Sequence, residues 1–315
     1  MTIAFLFPGQ GAQAPGMGKS LFDAFGAARE VFQEVDDALG ERLSRLIFEG
    51  PEDQLTLTAN TQPALFAVSL AVMRTLDKEF HVPVTKAGCV AGHSLGEYSA
   101  LAAAGALTVA DAARLLRIRG QAMQAAVPVG QGAMAALIGK VDLALAEEIV
   151  AEAQGAGVVV VANDNNVGNV VISGSKEGVD AAIAVAKAKS ARAAPLNVSA
   201  PFHSPLMAPA AEAMREALAE TTIAPLAVPL VANVLAGPVQ EPARIRDLLV
   251  AQVTGRVRWR ESVAWMAAEA GGAVTRFVEA GAGKQLSGMV RRTAPEAETV
   301  ALNGPDDLEV FAKSL

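Results

Sequence analysis

Apolar and polar positions along this chain recur with two periods, and the changes between them mark the elements. Thr2 to Phe7 is a short continuous apolar run that reads as a buried strand, and Pro8-Gly9-Gln10-Gly11-Ala12-Gln13 reads as the loop after it. Helical spacing covers Ser20 to Leu39 and Gln62 to Phe80, the second with Pro63 in its first turn, where no backbone donor is needed. Gly88 to Ala91 is a second apolar strand, and from Gly96 the chain becomes an Ala- and Leu-rich helix. Thr108 is placed to cap the next helix, Asp111 lies in its first turn, and Pro128 closes it.

From Gly130 the rhythm shortens. Strands at Ala133 to Ile138, Val158 to Ala162, Val170 to Ser173 and Ala193 to Val198 are interleaved with helices at Leu143 to Gln154 and Lys176 to Lys189. That β-α-β-β-α-β order is the ferredoxin-like unit. It predicts a small domain, residues 130–199, inserted into a larger α/β domain made of residues 1–129 and 200–315. The larger domain resumes with strands near Val228 to Asn233 and at Ala273 to Glu279, the latter running into the Gly281-Ala282-Gly283 turn and a helix.

Composition narrows the picture. Hydrophobic residues are 52% of the 315, yet aromatics supply only 4%, so Ala, Val and Leu must fill the interior of a helix-rich α/β protein. A net charge of −7 without a dominant basic stripe argues against a nucleic-acid partner. Cys89 is the single cysteine, which excludes an intramolecular disulfide and a cysteine-clustered metal site. The run from Met1 to Phe7 has no basic residues before it and breaks at Pro8, and Pro63 to Met73 stops at Arg74, too short to cross a bilayer. A cytoplasmic enzyme with no membrane partner is expected.

Chemistry concentrates in a few places. Gly92-His93-Ser94-Leu95-Gly96 matches G-x-S-x-G with an apolar strand before and a helix after. On that tight turn a serine projects its hydroxyl, and the next backbone N–H points at the same reacting oxygen. Serine at its free pKa is a weak nucleophile and needs a base. Of three histidines, His81 follows a helix in a polar stretch, and His93 adjoins Ser94, so its side chain should diverge while still lining the pocket. His203 sits in Ser199-Ala200-Pro201-Phe202-His203-Ser204-Pro205, where the inserted domain returns to the larger one, and by elimination it is the favoured base. No carboxylate is obvious as a third member. Asp111, Asp164 and Asp180 are candidates, and a Ser–His dyad oriented by a backbone or amide oxygen fits equally.

Arg119 falls in the middle of the apolar stripe formed by Ala112, Leu115, Leu116, Ala122, Met123 and Ala126. An inward guanidinium must find an anion. That anion is either an internal carboxylate or the carboxylate of a substrate, gripped by the planar fork. Gly9 to Ala14 has the spacing of a dinucleotide-binding loop, but Pro15, Gly16 and Gly18 stand where its helix should begin. The residues suit a loop that presents backbone N–H groups to an anion or oxyanion.

In order along the chain, Phe7-Pro8-Gly9-Gln10-Gly11, Thr61-Gln62-Pro63-Ala64, Gly92-His93-Ser94-Leu95-Gly96-Glu97-Tyr98-Ser99-Ala100, Arg119-Gly120, Gly132-Ala133-Met134-Ala135-Ala136, His203-Ser204-Pro205-Leu206-Met207 and Gly281-Ala282-Gly283-Lys284 resemble the malonyl-CoA:acyl-carrier-protein transacylase family and the related acyltransferase domains of polyketide synthases. The resemblance covers nearly the whole chain. It implies an α/β-hydrolase-like core with an inserted ferredoxin-like subdomain, a Ser94–His203 dyad, an oxyanion hole from the backbone N–H groups of Leu95 and Gln10, and carboxylate binding by Arg119. It also implies that the backbone carbonyl of Gln252 holds the catalytic imidazole, and that Leu95 and Phe202 follow the malonyl-selective pattern. Malonyl-CoA and acyl carrier protein become the expected partners of a monomer. No metal or cofactor is expected, since CoA thioester and phosphopantetheine are substrates. Acyl carrier proteins are acidic as a family, so Lys187, Lys189 and Arg192, or else Arg291 and Arg292, are the candidate dock.

The chain departs from the family at Asn169, where a Gln is usual after an Asn-rich loop, and at Gly255-Arg256, where a small residue and Pro are usual. Two other classes are compatible with the residues, a serine hydrolase and a non-catalytic carrier-protein or CoA-binding module. The combination of Ser94, His203 and Arg119 argues against the second.

Overall fold

A computed structural model describes residues 2–198, 200–268 and 273–315. Met1, at the start of the N-terminal apolar run, and Ser199, the last residue of the expected insert and the first of the histidine loop, lie outside the described residues.

Two sheets organise the chain. The first begins with β1 (Ile3–Phe7), whose five residues are all buried. Its alternation is two-sided: Ile3, Phe5 and Phe7 join one apolar layer, while Ala4 and Leu6 join another. After β1 come α1 (Lys19–Ala24), α2 (Gly26–Leu39), α3 (Leu43–Glu49), α4 (Glu52–Thr56) and α5 (Thr58–Phe80). The helix expected over Ser20 to Leu39 is broken at Phe25, which is extended at φ −123° and ψ 134°. Arg29 stabilises the break: its Nη1 donates to the Phe22 and Asp23 carbonyls at 2.8 and 3.1 Å.

α5 starts at Thr58 rather than Gln62, so Pro63 lies inside the helix instead of in its first turn. Proline has no N–H for the carbonyl four residues back. Arg117 Nη1 donates to that Ala59 carbonyl instead, at 2.8 Å. Tertiary contact thus repairs a defect that, read locally, argued for a later start.

β2 (Ala87–Gly92) pairs parallel with β1 and is followed by α6 (Gly96–Ala103) and α7 (Val109–Ala125). Thr108 caps α7 as expected, its hydroxyl accepting from the Asp111 N–H at 3.0 Å.

The second sheet is built from β3 (Gly132–Ile138), α8 (Leu143–Ala153), β4 (Val159–Asn166), β5 (Asn169–Ser175), α9 (Lys176–Ala188) and β6 (Arg192–Pro195). Its spatial order is β4-β5-β3-β6, with each pair antiparallel, and it has an apolar cluster of its own. The run from Asn163 to Asn166, read as a loop, is instead the buried end of β4. Register shifts between Val161 and Asn163 and between Asp164 and Asn166 break the regular ladder there and re-aim these polar side chains.

The chain then returns through α10 (Ala208–Ala219), β7 (Leu230–Ala232), β8 (Gly237–Val239), α11 (Pro242–Thr254), α12 (Trp259–Ala268), β9 (Arg276–Ala280), α13 (Gln285–Thr293), β10 (Glu298–Leu302) and α14 (Pro305–Lys313). These complete a six-stranded sheet in the order β10-β9-β1-β2-β7-β8, parallel throughout except for the β7–β8 edge pair. The fold is therefore mixed α/β, with a mainly parallel sheet and a second antiparallel one. From β1 the chain proceeds to β2 on one side and later to β9 on the other. The chain thus switches sides between β1 and β9, and such sheets bind ligands outside the carboxyl ends of their strands near that point.

The two sheets are fastened together. Val257 exchanges backbone bonds with β4, donating to the Ala162 carbonyl at 2.8 Å and accepting from the Asp164 N–H at 2.9 Å. Asp164 pairs with Arg260 at 2.8 Å. Arg256, at one of the departures from the family pattern, reaches Glu147 of α8 at 2.7 Å. Both side chains of that pair are partly exposed, so it adds little stability.

Candidate active site

Ser94 is carried on the turn between β2 and α6, in the left-handed region at φ 53°. Its backbone is held from both sides: Asn233 Oδ1 accepts the Ser94 N–H at 2.8 Å, and Gln252 Nε2 donates to the Ser94 carbonyl at 3.0 Å. Asn233 Nδ2 also donates to the Gly92 carbonyl at 2.7 Å. The turn needs glycine for space. A Cβ on Gly96 would lie 2.2 Å from the Phe7 carbonyl oxygen and 3.0 Å from that of Pro8. Gly96→Ala should therefore lower stability by roughly 1–3 kcal/mol, the usual cost of overpacking. Gly155→Ala, with nothing within 4 Å of the added carbon, is the control. Equal urea midpoints for the two variants would contradict the close approach.

His203 is 3% exposed and also left-handed, at φ 56°. Its Nε2 lies 2.8 Å from Ser94 Oγ, and its Nδ1 lies 2.9 Å from the backbone oxygen of Gln252. A carbonyl only accepts, so Nδ1 carries the hydrogen and Nε2 is left free to take the serine proton. Burial first, and then the nearby charge of Arg119, push the imidazole down from 6.5 to about 3, so it is neutral near pH 7. The three carboxylates weighed as a third member are engaged elsewhere: Asp111 with the Thr108 hydroxyl and Arg114, Asp164 with Arg260, and Asp180 with Lys176.

Arg119, on α7, is 1% exposed. Its Nη1 donates to Gln62 Oε1 at 2.7 Å, and its Nη2 donates to Gln252 Oε1 at 2.9 Å and to Ser94 Oγ at 3.0 Å. Its Nε has no hydrogen-bond partner, and among the described residues no carboxylate forms an ion pair with it. The internal salt bridge is therefore not what the structure shows; the direct acceptors are neutral. The guanidinium also lies 5.9 Å from the Tyr98 ring centroid.

These groups open into a cavity of about 800 Å³ between the two sheets, lined also by Gln10, Leu95, His93 and Phe202. Gln10 Oε1 accepts from Thr58 Oγ1 at 2.9 Å, and Thr58 in turn accepts from Gln62 Nε2 at 3.0 Å, tying the first loop to the arginine. His93 turns away from Ser94, its Nε2 2.8 Å from Asn165 Oδ1 and its ring 5.5 Å from that of Trp259. Arg292 is at the cavity wall, whereas Lys189 is paired with Glu148 and Glu152 at 2.7 and 2.8 Å. Among the described residues no group of His, Cys, Asp or Glu is arranged to hold a metal ion, and no helix is long and apolar enough to cross a membrane.

Sequence reasoning missed Asn233, the role of Gln62 and the burial of Glu97. Gln62 and Glu97 stand inside motifs already singled out, but nothing in their spacing says which way they point. Asn233 had only its place at the end of an expected strand.

A serine in the left-handed region on a strand-to-helix turn, with a neutral histidine 2.8 Å from its hydroxyl and a cavity above both, has the geometry in which a base can take a serine proton. The chain belongs to the acyl transferase family, whose domain model matches residues 4–305, and it is an acyltransferase. It is 45% identical over 314 residues to the malonyl CoA-acyl carrier protein transacylase of Bacillus subtilis (strain 168), covering 99% of this chain and 97% of the relative. Its counterpart from Escherichia coli (strain K12) is 43% identical over 304 residues, 96% of each chain. Among solved structures, the acyl-carrier-protein-S-malonyltransferase from Bartonella henselae matches with a TM-score of 0.96 and 52% identity, over 100% of this chain and 99% of that one. A malonyl-transacylase in complex with a type II PKS acyl-carrier protein matches with a TM-score of 0.95 and 39% identity over 100% of both chains.

Proposed function

We propose that this protein transfers the malonyl group of malonyl-CoA to the phosphopantetheine thiol of acyl carrier protein through a malonyl-Ser94 ester, supplying fatty-acid synthesis. The observation that carries the reading is Arg119, a buried guanidinium whose direct acceptors are neutral and include the nucleophile's own oxygen. A carboxylate one methylene from the reacting carbonyl reaches that guanidinium while the carbonyl carbon sits at Ser94 Oγ. The names of the relatives point to the same donor and acceptor.

The chemistry is a double displacement. Ser94 Oγ attacks the thioester carbon as His203 Nε2 takes its proton, and the Leu95 and Gln10 N–H groups stabilise the tetrahedral oxyanion. The carbon–sulfur bond breaks, and the CoA sulfur leaves with the proton from His203. The carrier thiol then gives its proton to His203 and attacks the ester, and Ser94 regains a proton as the new thioester forms. The backbone carbonyl of Gln252 holds the imidazole in place of an acid. None of these steps uses a metal or bound cofactor. The groups of the site all come from one chain, which supports a monomer, and the proposed substrates support a cytoplasmic setting. Arg291 and Arg292 are the favoured carrier dock, since Arg292 borders the cavity and Lys189 is already neutralised.

The sheet order and separate apolar core support a ferredoxin-like domain at residues 130–199. The elbow on the parallel sheet supports an α/β-hydrolase-like domain of residues 1–129 and 200–315.

Intact mass after mixing with malonyl-CoA tests the reading: one malonyl group should be added and then discharged by acyl carrier protein. Arg119→Ala should lose on the order of 30- to several-thousand-fold in kcat/KM for malonyl-CoA, the effect of removing a desolvated charge pair. Acetyl-CoA lacks the carboxylate and should lose little. Equal losses for both substrates would make Arg119 structural and remove the support for a diacid substrate.

A further inference from the structure

Glu97 has no part in the steps above, yet it is 1% exposed on the first turn after the nucleophile. Its Oε2 accepts from Gln252 Nε2 and from the Asn233 backbone N–H, each at 3.0 Å. Its Oε1 has no hydrogen-bond partner. Asn233 and Gln252 are the two residues whose side chains hold the Ser94 backbone, one at its N–H and the other at its carbonyl. Gln252 further accepts from Arg119 through Oε1 and from His203 through its main-chain oxygen. One carboxyl oxygen thus anchors the side-chain amide that holds the Ser94 carbonyl and the guanidinium, on the residue whose main-chain oxygen holds His203.

That anchoring has a direction. The Gln252 Nε2 faces two acceptors, the Ser94 carbonyl and Glu97 Oε2, while Oε1 faces the Arg119 donor. A flipped amide would set its oxygen against two acceptors and its NH₂ against a guanidinium, leaving buried groups unpaired. Resting on the malonyl reading above, we propose that Glu97 is a positioning and specificity-determining residue. It locks the Gln252 amide and the Ser94 turn, and as the internal counter-charge of Arg119 it competes through Gln252 with the carboxylate of the acyl group.

The groups facing Glu97 are few. Arg119 from α7 is the charge, Asn233 beyond β7 and Gln252 from α11 offer only dipoles, and α5 presents neutral Gln62 to the same guanidinium. Tyr98, next on α6, stays protonated because burial raises its phenol. Burial, opposed by the two hydrogen bonds and by Arg119, pushes the Glu97 carboxyl up from 4.5 to about 7. Below that pH Glu97 is neutral and leaves the Arg119 charge to the substrate; above it, the anion shares that charge. Malonyl binding should therefore take up a proton, and malonyl preference should fall as pH rises.

Single-turnover acylation of Ser94 by malonyl-CoA and by acetyl-CoA, from about pH 6 to about pH 8.5, reads this out. The two donors carry the same phosphates, so their ratio reports the acyl end alone. In the wild type the malonyl-over-acetyl ratio of kcat/KM should fall about five- to tenfold across the range. Glu97→Gln keeps an acceptor oxygen without the charge, so its ratio should stay flat at the high, acid-side value while the saturating rate stays within about threefold of wild type. Glu97→Ala frees the amide and should slow the saturating rate for both donors by about tenfold or more. A flat wild-type ratio, or the same slope in Glu97→Gln, overturns the counter-charge role. A wild-type saturating rate in Glu97→Ala, or Glu97→Gln as slow as Glu97→Ala, overturns the positioning role, and the Gln profile alone decides if the Ala variant does not fold. Absence of any malonyl-serine in the wild type would instead overturn the malonyl reading itself.

Discussion

Ser94→Ala is expected to abolish the malonyl mass increment and all transfer to acyl carrier protein, leaving no burst of CoA release. The side chain supplies the only hydroxyl within reach of His203 Nε2 among the described residues, at 2.8 Å. The fold should survive. Alanine carries the same Cβ as serine, so the cost of the left-handed backbone at φ 53° is unchanged. The bonds that impose that backbone run from Asn233 and Gln252 to main-chain atoms, which alanine keeps. Arg119 loses one of its acceptors but retains Gln62 and Gln252. Unfolding free energy within about 1 kcal/mol of wild type, by urea midpoint and slope, would confirm that lost transfer is chemical rather than structural. Wild-type transfer in this variant would end the serine assignment.

His203→Ala should slow acylation by roughly 10²- to 10⁴-fold, the usual worth of a general base. The loss should not be total, because the proposed oxyanion-hole N–H groups of Leu95 and Gln10 remain to stabilise developing negative charge. The pH profile supplies a second check. A histidine near its ordinary value of 6.5 would lose about tenfold in rate one unit lower, whereas an imidazole pushed down to about 3 by burial and by Arg119 stays neutral and competent there. At saturating malonyl-CoA, the wild-type acylation rate is therefore expected to be flat down to about pH 5.5. Substrate should strengthen the base in its turn. On the proposed reading, a malonyl carboxylate on Arg119 would offset part of the positive charge that depresses His203, so the imidazole would gain proton affinity as the reacting carbonyl arrives. An unchanged burst in His203→Ala would show that another base operates.

Much of this arrangement was legible without coordinates. The strand and helix patterns flanking residues 92–96 identify the tight strand-to-helix turn that carries Ser94 because periodicity is local: each element announces which of its faces is buried. The element order from Gly132 to Pro195 was legible for the same reason. Arg119 could be singled out because a charge on an apolar stripe contradicts its surroundings, and such a contradiction is visible in one helix alone.

What periodicity could not reach were contacts between segments distant in sequence. Pro63 looked like a first-turn residue until Arg117 was found at the Ala59 carbonyl. The polar run from Asn163 to Asn166 looked like a loop because polar residues seldom bury, and they do so here because the second sheet closes over the first, with Asn165 meeting His93 and Asp164 meeting Val257 and Arg260. Nor could Arg119 reveal its partners: the sequence demanded an anion, and only the packing of α5, α7 and α11 showed neutral amides and a serine oxygen instead. The chain by itself thus determined which residues carry reactive groups and which faces are buried, since both depend on neighbours a few residues away. Tertiary structure alone decided which groups meet, because the dyad, the arginine and Glu97 are joined through Gln252, more than a hundred and thirty residues from three of its partners and forty-nine from the fourth.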